Sequence, residues 1–349
     1  MKASYVSSQA VTQALRYSMT RMQSELVTAQ KEVATLRVAD PGLALGARSG
    51  QSVSMARDIA RLGVLVDSNQ LVASRLSATQ DALSLLTTRA EELRSTLTAA
   101  SSGSSGPAVA QADGTAMIET LTSILNTSIN GEHLFAGTNT DIQPIADFTD
   151  PASPNRIAFD LSFVATFGFA QTDPAASGIT AAQINDFLTN VVEPQFMGAG
   201  WAANWSSAAD DPIVSRIALN ETVQTSVTAN ISGVRKLAMA AAITSGLLIA
   251  DLNTGAANAV INRGLALVSE GIAEITDQKA QTGLTESRIA KASERINMQI
   301  DLFEATIQDM EGVDPYEAAS RVSALITQIE TSYALTARIQ GLSLLRFLG

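Results

Sequence analysis

Apolar residues recur at alternating intervals of three and four in three stretches of the chain, and this spacing constrains the fold more than any other feature. One inner seam runs from Leu62 to Leu97, and a longer one runs from Ile261 to Met310. Such spacing places the apolar side chains on one stripe of a long helix, which another helix must cover. Asn69 and Thr79 are polar members of the first inner seam, and we expect them to fix the register of the helix pair.

The two end segments carry apolar stripes of their own. The N-terminal seam runs from Leu15 to Leu36 and ends at a helix break at Asp40 and Pro41. A second break lies at residues 312–315, and the helix predicted after it has apolar residues on more than one stripe. Two antiparallel helices bury only one stripe each, so we expect another copy or a related protein to cover the rest. The predicted subunit-interface residues are Leu15, Met22, Leu26, Val33, Leu36, Leu335, Ile339, Leu342, Leu345 and Leu348.

The middle of the chain has a different character. Residues 138–228 hold most of the prolines and both tryptophans. Alternating apolar residues from Ile157 to Phe163 predict a strand, and the segment RIALNETVQTSV at 216–227 predicts a β-hairpin. A short helix is expected near 181–192.

This layout predicts a mainly α protein: an elongated, folded-back helical rod with coiled-coil termini and a smaller strand-containing (α+β) inserted domain. The predicted domains are a terminal coiled coil (1–40 with 312–349), a helical rod (41–137 with 229–311) and an outer inserted domain (138–228).

Composition argues against most other classes of protein. The chain has no cysteine, one histidine (His133) and a formal charge of −11, so thiolate metal sites, catalytic triads and nucleic-acid binding are disfavoured. The most apolar run, 237–250, is too short to span a membrane and predicts a buried helix instead, so we expect no membrane insertion. No set of residues indicates a catalytic, cofactor or metal site, and we expect neither enzymatic activity nor a cofactor.

Three segments resemble the flagellin superfamily of bacteria. NGEHLFAGTNTDIQPI at 130–145 is similar to the form N-G-x-Y-L-F-A-G-T-x-T-D-x-x-P of the FlgL family of flagellar hook-associated proteins, although His133 replaces the usual aromatic residue. ADPGLALG at 39–46 and IETSYALTARIQGLSLLRFL at 329–348 resemble segments near the two ends of that family, although Ala39 stands where an acid is common. The matching motif residues are Gly131, Leu134, Phe135, Gly137, Thr138, Asp141 and Pro144.

The resemblance implies a structural protein of the hook–filament junction, secreted through the flagellar export apparatus and located in the extracellular flagellum. Its implied partners are further copies of itself in a ring or helical layer, the other junction protein, flagellin, an export chaperone and the export apparatus. The residues leave alternatives open: a filament flagellin, which has a similar C-terminal segment, or a secreted coiled-coil adhesin or secretion-system tip protein.

Overall fold

A computed structural model describes the backbone of residues 8–348 and the side chains of residue 10 and of residues 13–338. In that part of the chain the α-helices are α1 (Ser8–Thr35), α2 (Pro41–Leu45), α3 (Ser49–Ser101), α4 (Pro107–Leu125), α5 (Pro154–Phe167), α6 (Ala181–Phe187), α7 (Glu193–Met197), α8 (Ser232–Leu247), α9 (Thr254–Glu311) and α10 (Pro315–Leu348). Two short antiparallel hairpins pair β1 (Ser128–Ile129) with β2 (Glu132–His133) and β3 (Val214–Ala218) with β4 (Glu221–Gln224). The protein is therefore mainly α with a small strand-containing region, as the sequence predicts.

The chain divides into two compact units, residues 1–64 with 296–349 and residues 65–295. The three-domain division expected from the sequence stays a prediction, since independent folding of each part is untested.

In the first unit, α1 and α10 pack side by side in antiparallel orientation. Gln23 Nε2 donates a hydrogen bond to the Tyr333 hydroxyl at 3.0 Å, and Arg321 pairs with Glu32 at 3.2 Å near the other end of the contact. Ala29 is buried at the centre of the α1 seam. The predicted pairing of the two end segments is therefore present in the structure.

In the second unit, α3 and α9 run antiparallel in one register. Gln80 Nε2 donates to the Lys279 carbonyl at 2.9 Å, and Asn69 Nδ2 donates to Ser293 Oγ at 3.0 Å. Asn69 Nδ2 also donates to the backbone carbonyl of Ile217 at 2.9 Å. Asn69 is 1% exposed, and the apolar seam members around it are buried or half-buried. The predicted seam is confirmed, and the two hydrogen bonds that Asn69 Nδ2 donates favour this register of the helix pair.

A second helix pair completes this core. The predicted buried helix is α8, which packs against α4, and most of its residues are buried. Lys236 of α8 bridges Glu270 and Glu274 of α9 at 2.7 Å to each. The pKa of Lys236 is raised, first by its hydrogen bond to Glu270 and then by that to Glu274. The aromatic residues of 138–228 join the same core as these helices: Phe148, Phe159, Phe163, Phe187, Phe196, Trp201 and Trp205.

The strand predicted from Ile157 to Phe163 is wrong, because this segment is the helix α5. Pro154 occupies the first turn, where a missing N–H costs nothing, and Gly168 ends the helix in the left-handed region with φ 83°. Phe159 and Phe163, four residues apart, bury one face. Apolar residues on the opposite face of the helix produced the alternation that mimics a strand.

The second hairpin is confirmed at β3 and β4, and the predicted short helix is α6 with the π-helical turn Leu188–Val192 that follows it. The hairpin lies against the α3–α9 pair. Ile217 and Val223 bury against Leu76, Ile289 and Ala292. Glu221, at the tip, accepts from Arg288 at 3.0 Å and from Arg295 at 3.1 Å. Across the described residues, no helix combines the length and apolarity that a membrane crossing requires.

We expect Glu286→Gln to stabilise the protein at neutral pH. Burial raises the pKa of Glu286 and the charge of Asp81 raises it further, while Glu286 Oε1 has no hydrogen-bond partner among the described residues. Because the pKa of Glu286 is higher in the folded state, its protonated carboxyl group contributes to folding stability below the unfolded-state pKa. This contribution to stability is lost as pH rises through the folded-state pKa. The gain comes from removing a partly buried charge that Asp81 repels, and it should be at most about 1 kcal/mol, the scale of an interaction between partly exposed charges.

Urea unfolding at several pH values measures this effect. The variant should be more stable than the parent at pH 7, and the two should converge in acid, where Glu286 is protonated. Glu294→Gln, at an exposed position of the same helix, is the control and should show little difference. An unchanged midpoint for Glu286→Gln at pH 7 would contradict the interpretation.

Candidate assembly surface and family motif

The predicted interface residues of α1 lie along its contact with α10. Leu15, Met22, Leu26 and Val33 are half-buried, so the contact covers them only in part. Leu36 lies after the end of α1, has φ 53° and is 45% exposed. It therefore leaves the helical seam to which the sequence assigned it.

On α10 the buried stripe differs from the apolar residues that remain exposed. Ala318 and Leu325 are buried, and Val322 and Ile329 are half-buried. Leu335, on another side of the helix, is 51% exposed. Ile326 and Tyr333 are also exposed, on the flank opposite Leu335. The side chains of Ile339, Leu342, Leu345 and Leu348 lie outside the described residues.

The two helix breaks lie beside each other. Val38 N donates to the Glu311 carbonyl at 2.8 Å, and Val313 N donates to the Leu36 carbonyl at 3.1 Å. Asp314 Oδ1 accepts from Tyr316 N at 2.8 Å and so caps α10. Backbone pairing between the breaks therefore joins the end of α1 to the start of α10.

A buried carboxylate supports this crossing. Glu311 is 7% exposed, lies 3.7 Å from the Arg37 guanidinium and accepts a hydrogen bond from the Ser52 hydroxyl. Glu32 is also buried, pairs with Arg321 and accepts from the amide of Ala39 at 3.3 Å. Sequence reasoning missed both glutamates, since a glutamate at a helix end is usually exposed. Their pairing requires contacts between residues far apart in the chain.

The motif at 130–145 begins with a tight hairpin turn. Asn130 has φ 54° and Gly131 has φ 86°, which are the values of a type I′ turn joining β1 and β2. The Asn-Gly pair is a strong sequence signal for such a hairpin, and it went unused in the sequence interpretation. Arg75 of α3 holds the hairpin through Glu132 and the carbonyl of His133.

The central residues of the motif contact the segment of the chain that leads to α8. Leu134 and Phe135 are buried in the core, and the Phe135 carbonyl accepts from Ala229 N at 2.8 Å. Gly137 has φ 64°, and an added Cβ would lie 2.5 Å from the Ala209 carbonyl oxygen. Only glycine allows this close approach.

The rest of the motif is also structural. Thr138 N donates to the Asp211 carbonyl at 3.2 Å, and the Pro144 carbonyl accepts from Ser207 N at 2.9 Å. Asp141 is exposed. The motif therefore pairs with residues 207–229 and closes the segment that the sequence assigned to an inserted domain.

His133 is half-buried, and its Nδ1 lies 2.9 Å from the Asn126 carbonyl. This contact gives His133 a structural role at the start of the motif. Among the described residues, no cluster of three or more acidic or histidine side chains could hold a metal ion.

Comparisons with known proteins identify two matching family regions. The bacterial flagellin N-terminal helical region matches residues 6–140, and the bacterial flagellin C-terminal helical region matches residues 265–348. Together they cover more than half of the chain. No curated protein sequence matches it.

The fold is similar to a solved structure described as a flagellar hook-associated protein from Vibrio parahaemolyticus. The TM-score is 0.52 at 10% sequence identity, and the match covers 76% of this chain and 97% of the other. At this identity the likeness concerns the fold alone.

We expect Gly137→Ala to destabilise the protein far more than Gly131→Ala. Both glycines have positive φ, so both substitutions carry a backbone cost of roughly 1 kcal/mol. An added Cβ at Gly131 meets open space, whereas at Gly137 it collides with the Ala209 and Asp211 carbonyls. Thermal unfolding followed by circular dichroism compares the two, with Gly131→Ala as the matched control. Equal losses of thermal stability in the two variants would contradict the importance assigned to the close contact at Gly137.

Proposed function

Because the chain belongs to the bacterial flagellin family and is thus a structural component of the flagellum, we propose that it forms the junction between the flagellar hook and the filament. It would lie between the other junction protein and flagellin. The observation that carries this proposal is the segment 130–145, which keeps Asn130, Gly131 and the run LFAGT of the junction-protein form. The likeness in fold to a protein described as hook-associated points the same way.

The geometry of that segment gives the motif a physical reason. The turn at Asn130 and Gly131 requires two positive φ values. At position 137 the backbone lies so close to the Ala209 carbonyl that a Cβ would not fit, so glycine is required. These are requirements of the fold of the subunit. The motif therefore indicates which member of the family the chain resembles, and most of its form is explained by the fold of the subunit itself.

The terminal helix pair is the proposed assembly surface. Most of its seam residues are only half-buried, and Leu335, Ile326 and Tyr333 remain exposed on two flanks of α10. Burying a leucine side chain fully contributes about 1.5–3 kcal/mol. Repeated in every subunit, that contribution is large enough to decide whether a ring or helical layer forms.

The proposed partners follow from this position. Copies of the chain would contact each other through the terminal helices, and the layer would meet the other junction protein on one side and flagellin on the other. An export chaperone would cover the same apolar surface before assembly, as the export apparatus delivers the protein to the growing flagellum.

Labelling with gold-conjugated antibody on isolated flagella tests the assignment. Staining restricted to one band at the distal end of the hook supports the junction protein. Staining along the filament would assign the chain as a filament flagellin instead, and self-polymerisation of the purified protein into long filaments would agree with that. Absence of the protein from flagella would leave a secreted adhesin or secretion-system tip protein.

We expect Leu335→Asp to prevent filament attachment without unfolding the subunit. Its side chain is already 51% exposed, so the monomer loses little, whereas an assembled subunit would bury the charge. The measurements are the unfolding midpoint of the purified variant and the number of filaments per cell. Ser323→Asp, which adds the same charge at an exposed position of α10, is the matched control and should leave filaments attached.

Normal filament numbers on the Leu335→Asp strain would exclude this flank from the assembly surface. Leu345→Asp tests the part of the predicted stripe whose side chains lie outside the described residues.

A further inference from the structure

Helix α5 carries an apolar face that the described residues of the chain leave partly exposed. Phe159 and Phe163 bury one side, while Ile157, Leu161 and Val164 are 44%, 62% and 40% exposed on the other. These three residues recur at intervals of four and three and therefore lie on one stripe. Ala158 and Ala165 lie on the same stripe, which has no polar side chain between Pro154 and Gly168. A surface helix normally has a polar outer face.

The same compact unit has an apolar groove. Its walls are α3, the β1–β2 turn and the second hairpin, and its volume is about 380 Å³. Most of the exposed surface in the groove is apolar although polar side chains also line it, and Leu71 is 66% exposed. The apolar lining residues are Leu71, Val72, Ile129 and Ile213. The groove thus offers a concave apolar surface where the α5 stripe offers a convex one.

Charge sets both features apart from the surface around them. Residues 138–228 contain ten acidic and only two basic side chains, so most faces of this segment repel another copy. Beside the stripe, Asp160 is neutralised by Arg156 at 2.8 Å, and the two charged side chains that line the groove, Glu132 and Arg75, pair with each other. Two copies could therefore meet here without opposing like charges.

The symmetry of the assembled layer determines whether the α5 stripe contacts the groove or another stripe. Copies in a ring or a polar helical layer all point the same way along its axis, so neighbours contact each other through two different surfaces. A stripe that paired with another stripe would instead give closed dimers. We infer that the α5 stripe of one copy docks in the apolar groove of its neighbour. This inference rests on the proposed function, because that function supplies the polar array.

The size of the stripe sets the strength of the contact. Three partly exposed aliphatic side chains are a small fraction of the roughly 800 Å² per partner that a stable interface buries. Free copies of the protein should therefore not form stable dimers through this surface. In an assembled layer the neighbour is held in place, at an effective concentration on the order of millimolar, and a weak contact forms.

Cysteine cross-linking tests the contact, and the natural chain has no cysteine to give a background. Cells would express pairs of single-cysteine variants together, one from the groove (Leu71→Cys or Ile129→Cys) and one from the stripe (Ile157→Cys, Leu161→Cys or Val164→Cys). Isolated flagella are oxidised and analysed on non-reducing gels. Disulfides form only between Cα atoms within about 7 Å, so at least one groove–stripe pair should give a covalent dimer. Thr166→Cys, exposed on α5 away from the stripe, replaces the stripe variant in the control and should give none.

Each result is informative. Dimers in mixtures, but not in either variant alone, support docking of stripe into groove. Dimers from Leu161→Cys alone would show stripe–stripe pairing and overturn the inference. Flagella that contain the protein but give no groove–stripe dimer with any pair would overturn it as well. Absence of the protein from isolated flagella would instead be a failure of the proposed function.

Discussion

The single register of α3 against α9 is the constraint on which the rest of the second unit depends. Two helices of 53 and 58 residues with regular seams could slide past each other by one heptad at little apolar cost. The buried amide of Asn69 disfavours this, because sliding would break the hydrogen bonds that it donates to the Ser293 hydroxyl and the Ile217 carbonyl. Asn69 also holds the β3–β4 hairpin through the Ile217 carbonyl, and Glu221 of that hairpin pairs with Arg288 and Arg295 of α9. A polar residue in an apolar seam thus fixes both the helix pair and the hairpin that lies on it.

In each unit, parts of the chain that are distant in sequence meet through backbone hydrogen bonds. In the first unit the helix breaks pair through Val38 and Val313, with buried Glu311 beneath them. In the second, Phe135 pairs with Ala229 and closes the long segment between them. Loop closure of this kind costs entropy that rises only slowly with length. A segment of about 90 residues can therefore be inserted at such a crossing without destabilising the helices, provided that the crossing itself is well packed.

The sequence predicted the features that depend on local pattern and failed where long-range packing decides. Helix seams, the breaks at Pro41 and Pro315 and the hairpin at 216–227 follow from spacing and turn residues, and the structure contains them. The strand predicted at 157–163 was wrong because a helix that is apolar on two faces gives the same alternation over a few residues. For the interface residues, spacing located the α1–α10 contact but could not separate the side chains that this contact covers from those it leaves exposed. The pairing of Glu32 and Glu311 could not be predicted, since it joins residues that are distant in sequence.

In the assembly proposed above, the distribution of exposed apolar surface would give the subunit two kinds of contact with different strengths. On the terminal helices the half-buried seam and the flanks of α10 extend over many residues, so assembly there can be strong enough to hold a layer together. On α5 the exposed stripe is short and its rim is neutral, so a contact there is too weak to form between free copies and depends on the terminal helices to bring neighbours together. This order is physically favourable for a subunit that must remain monomeric before it is incorporated. If the short stripe were extended by even a few more leucines, free copies would associate through it before the terminal helices could place them in a polar array.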